Sequence, residues 1–196
     1  DARLYARLVS QSIELAKALK WWGVGTVRWA VQPNGGAYLL SLSARLTTGL
    51  ELAEVAHGVD LVKTQWQMLV GEELVWEQSD VVEKQHVVQL RVLHMNGVGE
   101  VSRLCLPTNV AVACSVQEGA VLNEHTDPLL LKITVRGSTR TDALSRARAV
   151  MDDAVLERVQ TNIQGIRDLL GSKPLVLGTH TVYSASEQCD VGTPID

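Results

Sequence analysis

The chain has 196 residues, 21.4 kDa, with 46% hydrophobic and 20% charged side chains, enough to bury one substantial core or two small ones. Its 18 Lys+Arg against 22 Asp+Glu leave a formal charge of −4, and no stretch gathers the cations that a phosphate backbone requires, so no nucleic-acid partner is expected. Apolar runs such as PLLLKITV at 128–135 are far shorter than the ~18 residues of a bilayer span, which leaves no membrane partner either.

Leu4, Leu8, Leu15 and Leu19 fall on one helical stripe, interrupted where Gln11 and Ser12 sit, and predict a first helix from Leu4 to Leu19 stopped by Gly23 and Gly25. TVRWAVQ and YLLSLS, on either side of PNGGA, read as two strands around a two-residue Asn34-Gly35 turn. That turn sets Arg28 opposite Ser41 on one face and Trp29 opposite Leu40 on the other. Burying the latter pair would contribute roughly 2 to 4 kcal/mol. VDLVKTQWQMLV at 59–70 returns to helical spacing through Leu61, Val62, Trp66, Leu69 and Val70, and Gly71 stops it.

Four strands are predicted next: HVVQLRVL at 86–93, EVSRLCL at 100–106, VAVACSV at 110–116 and LLLKITV at 129–135. Thr139 stands three residues before Asp142, as in a capping box, and Ala143, Ala147, Val150, Met151 and Ala154 continue one apolar helical face. A last helix runs from Asn162 to Leu170 and ends at Gly171, and the tail GTHTVYSASEQCDVGTPID reads as irregular. The class is α+β, an antiparallel β-sheet with flanking helices. No repeat or low-complexity linker marks a separate second domain.

The elements in this order resemble the C-terminal half of a biotin carboxylase, the ATP-grasp component of biotin-dependent carboxylases. The residues that carry the likeness are GVGTV at 23–27, Arg45 beyond the second strand, GVDLVKTQ at 58–65 and GEEL at 71–74. HVVQLRV at 86–92 is similar to the family's G-H-A-I-x-x-R-I strand, and DPLLLKITVRGSTRTDAL at 127–144 to its D-x-L-x-x-K-x-x-x-x-G-x-x-R-x-x-A segment; VQTNI at 159–163 matches V-x-T-N-x. The run VQEGAVLNEHTDPLLLKITVRG leans towards the urea carboxylase and acyl-CoA carboxylase branch. The resemblance implies one unit over 1–196, cut from a longer chain, with 1–75 a remnant of the ATP-grasp lobe and 76–196 the C-terminal sheet and helices. It implies carboxylase partners, either the remainder of such a chain or other subunits in a homo- or hetero-oligomer.

The family's cofactors are ATP, magnesium and biotin, and the resemblance places two acids on neighbouring strands to hold magnesium, a hard cation that needs anionic oxygen ligands. Here the first of those positions is Arg28. The motif E-x-N-x-R-x-Q-V-E-H reads SLSARLTTGL from 41 to 50, so Ser41, Ser43, Thr47 and Gly49 stand where Glu, Asn, Gln and the bicarbonate base Glu would be. Only Arg45 keeps its type, and the arginine that steadies the biotin enolate falls near Ala111. A guanidinium cannot ligate a metal, and a dication ~4 Å away would be repelled by roughly 8 kcal/mol at an effective dielectric of ~20. The expectation is no catalytic, cofactor-binding or metal-binding residue in this chain as it stands. A module with scaffolding or subunit-contact duties is one reading; the C-terminal half of an active ATP-dependent ligase, completed by an N-terminal half, is the other.

Other candidates weigh towards structure. Glu51 and Glu54 sit where an exposed helix would start, Asp152 and Asp153 diverge by about 100° on their helix, and Trp21, Trp22, Trp66 and Trp76 fit packing or contact surfaces. Cys105, Cys114 and Cys189 lack a C-x-x-C pair, and His57, His86, His94, His125 and His180 lack an H-x-x-x-H pair, so neither disulfides nor zinc are expected. With no signal-peptide core and no initiator Met, the first twenty residues fit a cytoplasmic piece of a longer protein.

Overall fold

A computed structural model describes residues 2–181, 183 and 184, so the end of the tail, Cys189 included, lies outside the described residues. The chain divides into two compact units, one running to Glu54 and taking up Val59–Val81, the other made of Val55–Gly58 and everything from Val82. Among the described residues no helix is long and apolar enough to cross a membrane.

The first unit opens with α1 (Ala2–Ala18), in which Leu4, Leu8 and Leu15 are half-buried, while Leu19, past its end, is exposed. Ser12 explains the break in that stripe: its hydroxyl donates to the Leu8 carbonyl at 2.7 Å and accepts the indole N–H of Trp29 at 3.0 Å. The helix ends because Lys20 turns into the left-handed region at φ 51°, ahead of the glycines expected to stop it. β1 (Thr26–Val31) and β2 (Ala37–Ser43) form an antiparallel ribbon, followed by α2 (Leu50–His57) and α3 (Leu61–Leu69). Periodicity merged α2 into a mere helix start; Gly58, at φ 69°, separates the two helices.

The second unit centres on a three-stranded antiparallel sheet of order β3 (His86–Leu93), β8 (Leu129–Gly137), β6 (Ala111–Cys114). The predicted strand 100–106 is not in it. That stretch splits into β4 (Gly99–Glu100) and β5 (Arg103–Cys105), which pair with β7 (Val121–Leu122) and β9 (Val155–Glu157). The cause is Val101, fully buried between the two short ladders, whose N–H donates to the Ala120 carbonyl at 2.9 Å. Alternation over two or three residues is too brief for sequence to register.

α4 (Arg140–Asp153) lays Ala143, Leu144, Ala147, Val150 and Met151 against the sheet, and α5 (Ile163–Gly171) adds Ile163, Ile166 and Leu170. A short α6 (Lys173–Leu177) follows, which periodicity did not resolve. Arginines cap the helix ends: Arg167 donates to the Met151 carbonyl at 2.8 Å, Arg148 to Leu170 at 2.6 Å and Arg140 to Leu175.

The start of α4 keeps the Thr139 cap that the sequence indicates, although Asp142 reaches back to Ser138 rather than to Thr139 as a capping box would. The Thr139 hydroxyl accepts the Asp142 N–H at 3.1 Å, while the Asp142 carboxylate accepts the Ser138 N–H at 2.9 Å and holds Arg146 at 2.8 Å. The Ser138 N–H first, then Arg146, hold the Asp142 carboxyl below its ordinary 3.8. A lowered folded-state value means stability that is present above the unfolded value and lost as pH falls through the folded one. Asp142→Asn is therefore expected to lower the melting temperature at neutral pH, and the gap to the parent should narrow below pH 3.8. Thermal melts across pH 2 to 7 read this directly; a constant gap contradicts it.

Candidate functional site

The positions assigned by resemblance to metal and bicarbonate all belong to the first unit. Arg28 pairs with Ser41 and Thr26 with Ser43, and directly opposed residues share a face of an antiparallel ribbon. The pairing of Arg28 with Ser41 is as expected, but the route to it differs. The turn is a three-residue loop, Pro33-Asn34-Gly35: Gly35 N–H donates to Gln32 O at 2.9 Å, Gln32 N–H to Gly36 O at 2.8 Å, and Gly35 sits at φ 82°. This shifts the register by one, so Trp29 faces Leu39 rather than Leu40. A β-bulge between Arg28 and Trp29 takes up Leu40 and restores the register. Leu40 is then 62% exposed, and the buried Trp29–Leu40 pair does not exist.

The face so formed presents Thr26, Arg28, Ser41 and Ser43, with Arg28 exposed and the serines half-buried. Arg45 is exposed just past β2, and the carbonyls of Thr47 and Gly49 accept the N–H groups of Leu50 and Leu52 at the entry to α2. The face carries hydroxyls and a guanidinium but no carboxylate. Magnesium takes oxygen ligands, and an arginine has none to offer, so this donor set does not fit the metal of a nucleotide complex. Solvent around Arg28 screens its charge, which makes the missing anionic ligands a stronger objection than repulsion. Gly49 supplies no proton acceptor where the base would be.

The neighbouring acids are engaged elsewhere. Glu54 Oε1 accepts Leu61 N–H at 2.7 Å and Val62 N–H at 3.2 Å, holding the start of α3. Glu51 and Glu54 are half-buried, not the exposed helix start expected of them. Asp152 and Asp153 are exposed at the end of α4, with Asp152 at 3.9 Å from Arg167.

What the motifs retain is bracing. Gln65, from GVDLVKTQ, accepts the Val24 N–H of GVGTV, and a Cβ at Gly23 would come 2.7 Å from its Oε1. Trp21 lies over Gly25, where a Cβ would come 2.7 Å from indole Cε2, and its Nε1 donates to Gly23 O at 3.1 Å. Asp60 caps α3 through Lys63 N–H at 2.7 Å. In the second unit Asp127 accepts Leu129 N–H at 2.9 Å, Gly137 packs on Ala143, and Asn162 accepts Leu93 N–H at 2.8 Å. Trp21 apart, these residues belong to the motifs that carry the resemblance, but nothing in their spacing revealed their partners.

Residues 93–183 match the sequence model of the biotin carboxylase C-terminal domain, and residues 1–76 that of the carbamoyl-phosphate synthase L chain ATP binding domain. The chain is a relative of the C-terminal half of biotin carboxylases. Biotin carboxylase 2 of Bacillus subtilis is 25% identical over 171 residues, covering 83% of this chain and 38% of its own. The human mitochondrial propionyl-CoA carboxylase alpha chain is 28% identical over 189 residues, covering 91% and 26%. The fold of this biotin-carboxylase-like chain agrees with the biotin carboxylase domain of a thermophilic 2-oxoglutarate carboxylase bound to bicarbonate, at TM-score 0.91 and 20% identity, covering 95% of this chain and 44% of that one. Kluyveromyces lactis urea carboxylase gives 0.87 and 21%, covering 93% and 17%. The chain thus spans well under half the length of the curated relatives it matches.

Proposed function

We propose that this chain is a non-catalytic biotin-carboxylase-like module with a scaffolding or subunit-contact role in a biotin-dependent carboxylase or a related assembly. The observation behind it is a partition: motif residues that brace backbone are kept, as with Gln65 on Val24 and Asn162 on Leu93, whereas those that would meet metal, bicarbonate or base have become Arg28, Ser41, Ser43, Thr47 and Gly49. Loss concentrated at those positions is what relaxed demand on chemistry, with continued demand on fold, would leave. Its partners on this reading are the remainder of a carboxylase chain or other carboxylase subunits. The propionyl-CoA and methylcrotonoyl-CoA relatives are named as alpha chains or subunits, which supports an assembly of that kind.

A second reading, the C-terminal half of an active ATP-dependent biotin carboxylase, is favoured by the retained Arg45 and by the names of the relatives. Calorimetric titration with magnesium-ATP separates the two. No saturable heat is expected, with no ATP turnover in the presence of biotin and bicarbonate. Micromolar binding accompanied by turnover would remove the non-catalytic reading.

A further inference from the structure

Two of the five asparagines precede a glycine, in Asn34-Gly35 and Asn96-Gly97. An asparagine so placed can cyclise: the backbone nitrogen of the next residue attacks the side-chain amide carbon, ammonia leaves, and water opens the resulting succinimide to aspartate or isoaspartate. Glycine favours the step because it has no Cβ to shield its nitrogen and adopts most backbone conformations. In a folded chain, any hydrogen bonds that hold the nitrogen and the amide have to open before the attack.

The two pairs differ in this respect. At the ribbon turn Gly35 N–H donates to Gln32 O at 2.9 Å, and the Asn34 amide is turned onto the residue beyond, its Oδ1 accepting Gly36 N–H at 2.9 Å. Both reacting groups are held. In the connection from β3 to β4, Asn96 and Gly97 are exposed, Val98 is 78% exposed, and Gly97, at φ 88°, has open space where a Cβ would stand. Among the described residues no hydrogen bond engages the Asn96 amide or the Gly97 N–H. The flanks are anchored, since Met95 N–H donates to Gln160 O at 3.0 Å and Gly99 pairs with Leu122. Asn96 also lines a cleft of about 750 Å³ together with Gln164, Arg167 and Asp168.

We propose that Asn96-Gly97 is a self-modification site, converted to aspartate and isoaspartate with water as the only co-reactant, while the hydrogen bonds of the ribbon turn protect Asn34-Gly35. A bond forms between the Gly97 nitrogen and Asn96 Cγ, the Cγ–Nδ2 bond breaks, and the Gly97 amide proton leaves with the ammonia. One water is then consumed in opening the ring. Each converted molecule gains one negative charge on the wall of the cleft, and the isoaspartyl form carries an extra backbone carbon between the anchored Met95 and Gly99. The inference stands apart from whether the chain is catalytic.

The test ages the native 196-residue chain at neutral pH and physiological temperature, and follows by mass spectrometry its tryptic peptides 92–103 and 29–45, each of which holds one of the two pairs and no other asparagine. Peptide 92–103 is expected to convert faster by roughly tenfold or more, the cost of opening two hydrogen bonds at the ribbon turn. An acidic form should accumulate on ion exchange and coelute with Asn96→Asp, and enzymatic methylation of isoaspartate should label 92–103. Asn96→Gln should abolish that form; the side chain is exposed, so circular dichroism should show the variant folded. In urea the bonds that protect Asn34 are gone, and the two rates should converge. Equal rates in the native chain, faster conversion of 29–45, or an acidic form that survives Asn96→Gln overturns the proposal. So does a difference that persists undiminished in urea, since the sequence around each pair and not the fold would then set it.

Discussion

Gly137→Ala is expected to destabilise the second unit by roughly 3 kcal/mol or more, among the largest effects a single methyl can have. A Cβ built at Gly137 meets the Ala143 backbone nitrogen and would lie 2.6 Å from Ala143 Cα and 2.8 Å from its Cβ. These are atoms of the first turns of α4, whose start is fixed by Thr139 and Asp142. Relief therefore requires α4 to move off β8, opening the seam where Ala143 and Ala147 are fully buried. All five tryptophans precede residue 82, so indole fluorescence follows the first unit alone. The measurement has to be hydrogen exchange at β8 and α4, or urea unfolding by far-ultraviolet circular dichroism. A variant with parental exchange rates there would show that the glycine is incidental.

Asn162→Ala should cost about 2 to 4 kcal/mol. Asn162 is buried and holds β3 with both ends of its amide, Oδ1 accepting Leu93 N–H at 2.8 Å and Nδ2 donating to Arg91 O at 3.1 Å. Leu93 sits where the β3–β8 register shifts, so its N–H has no ladder partner of the regular kind. Truncation leaves that buried donor unsatisfied, and the penalty of an orphaned group exceeds the worth of the bond it made. Asn162→Asp keeps the acceptor but loses the donor, and should fall between parent and alanine. Equilibrium unfolding of the three proteins orders them; equal midpoints would refute the clamp.

Both predictions concern residues of the V-x-T-N-x and D-x-L-x-x-K motifs, which the sequence displayed without disclosing their use. Helical stripes were legible where the apolar period is long, as in α1, α3 and α4, and so was the cap at Thr139, because its signal is local. The ladders β4–β7 and β5–β9 were not, since two- and three-residue pairings leave no alternation to read. The ribbon shows how a local error can be hidden. A three-residue turn and a bulge at Leu40 cancel, so Arg28 still meets Ser41 although Trp29 meets Leu39.

Residue identity alone determined what the candidate site lacks, because a guanidinium, three hydroxyls and a glycine have no anionic oxygen in any conformation. It also determined the α+β class and the family likeness, which rest on order and period along the chain. Only the tertiary structure decided that the kept motif residues brace backbone, that Trp66 faces solvent, and that the core lies wholly in the second unit. The physical reason is that burial and hydrogen-bond partnership belong to pairs of residues distant in sequence. An apolar stripe announces only that something must cover it, not what does.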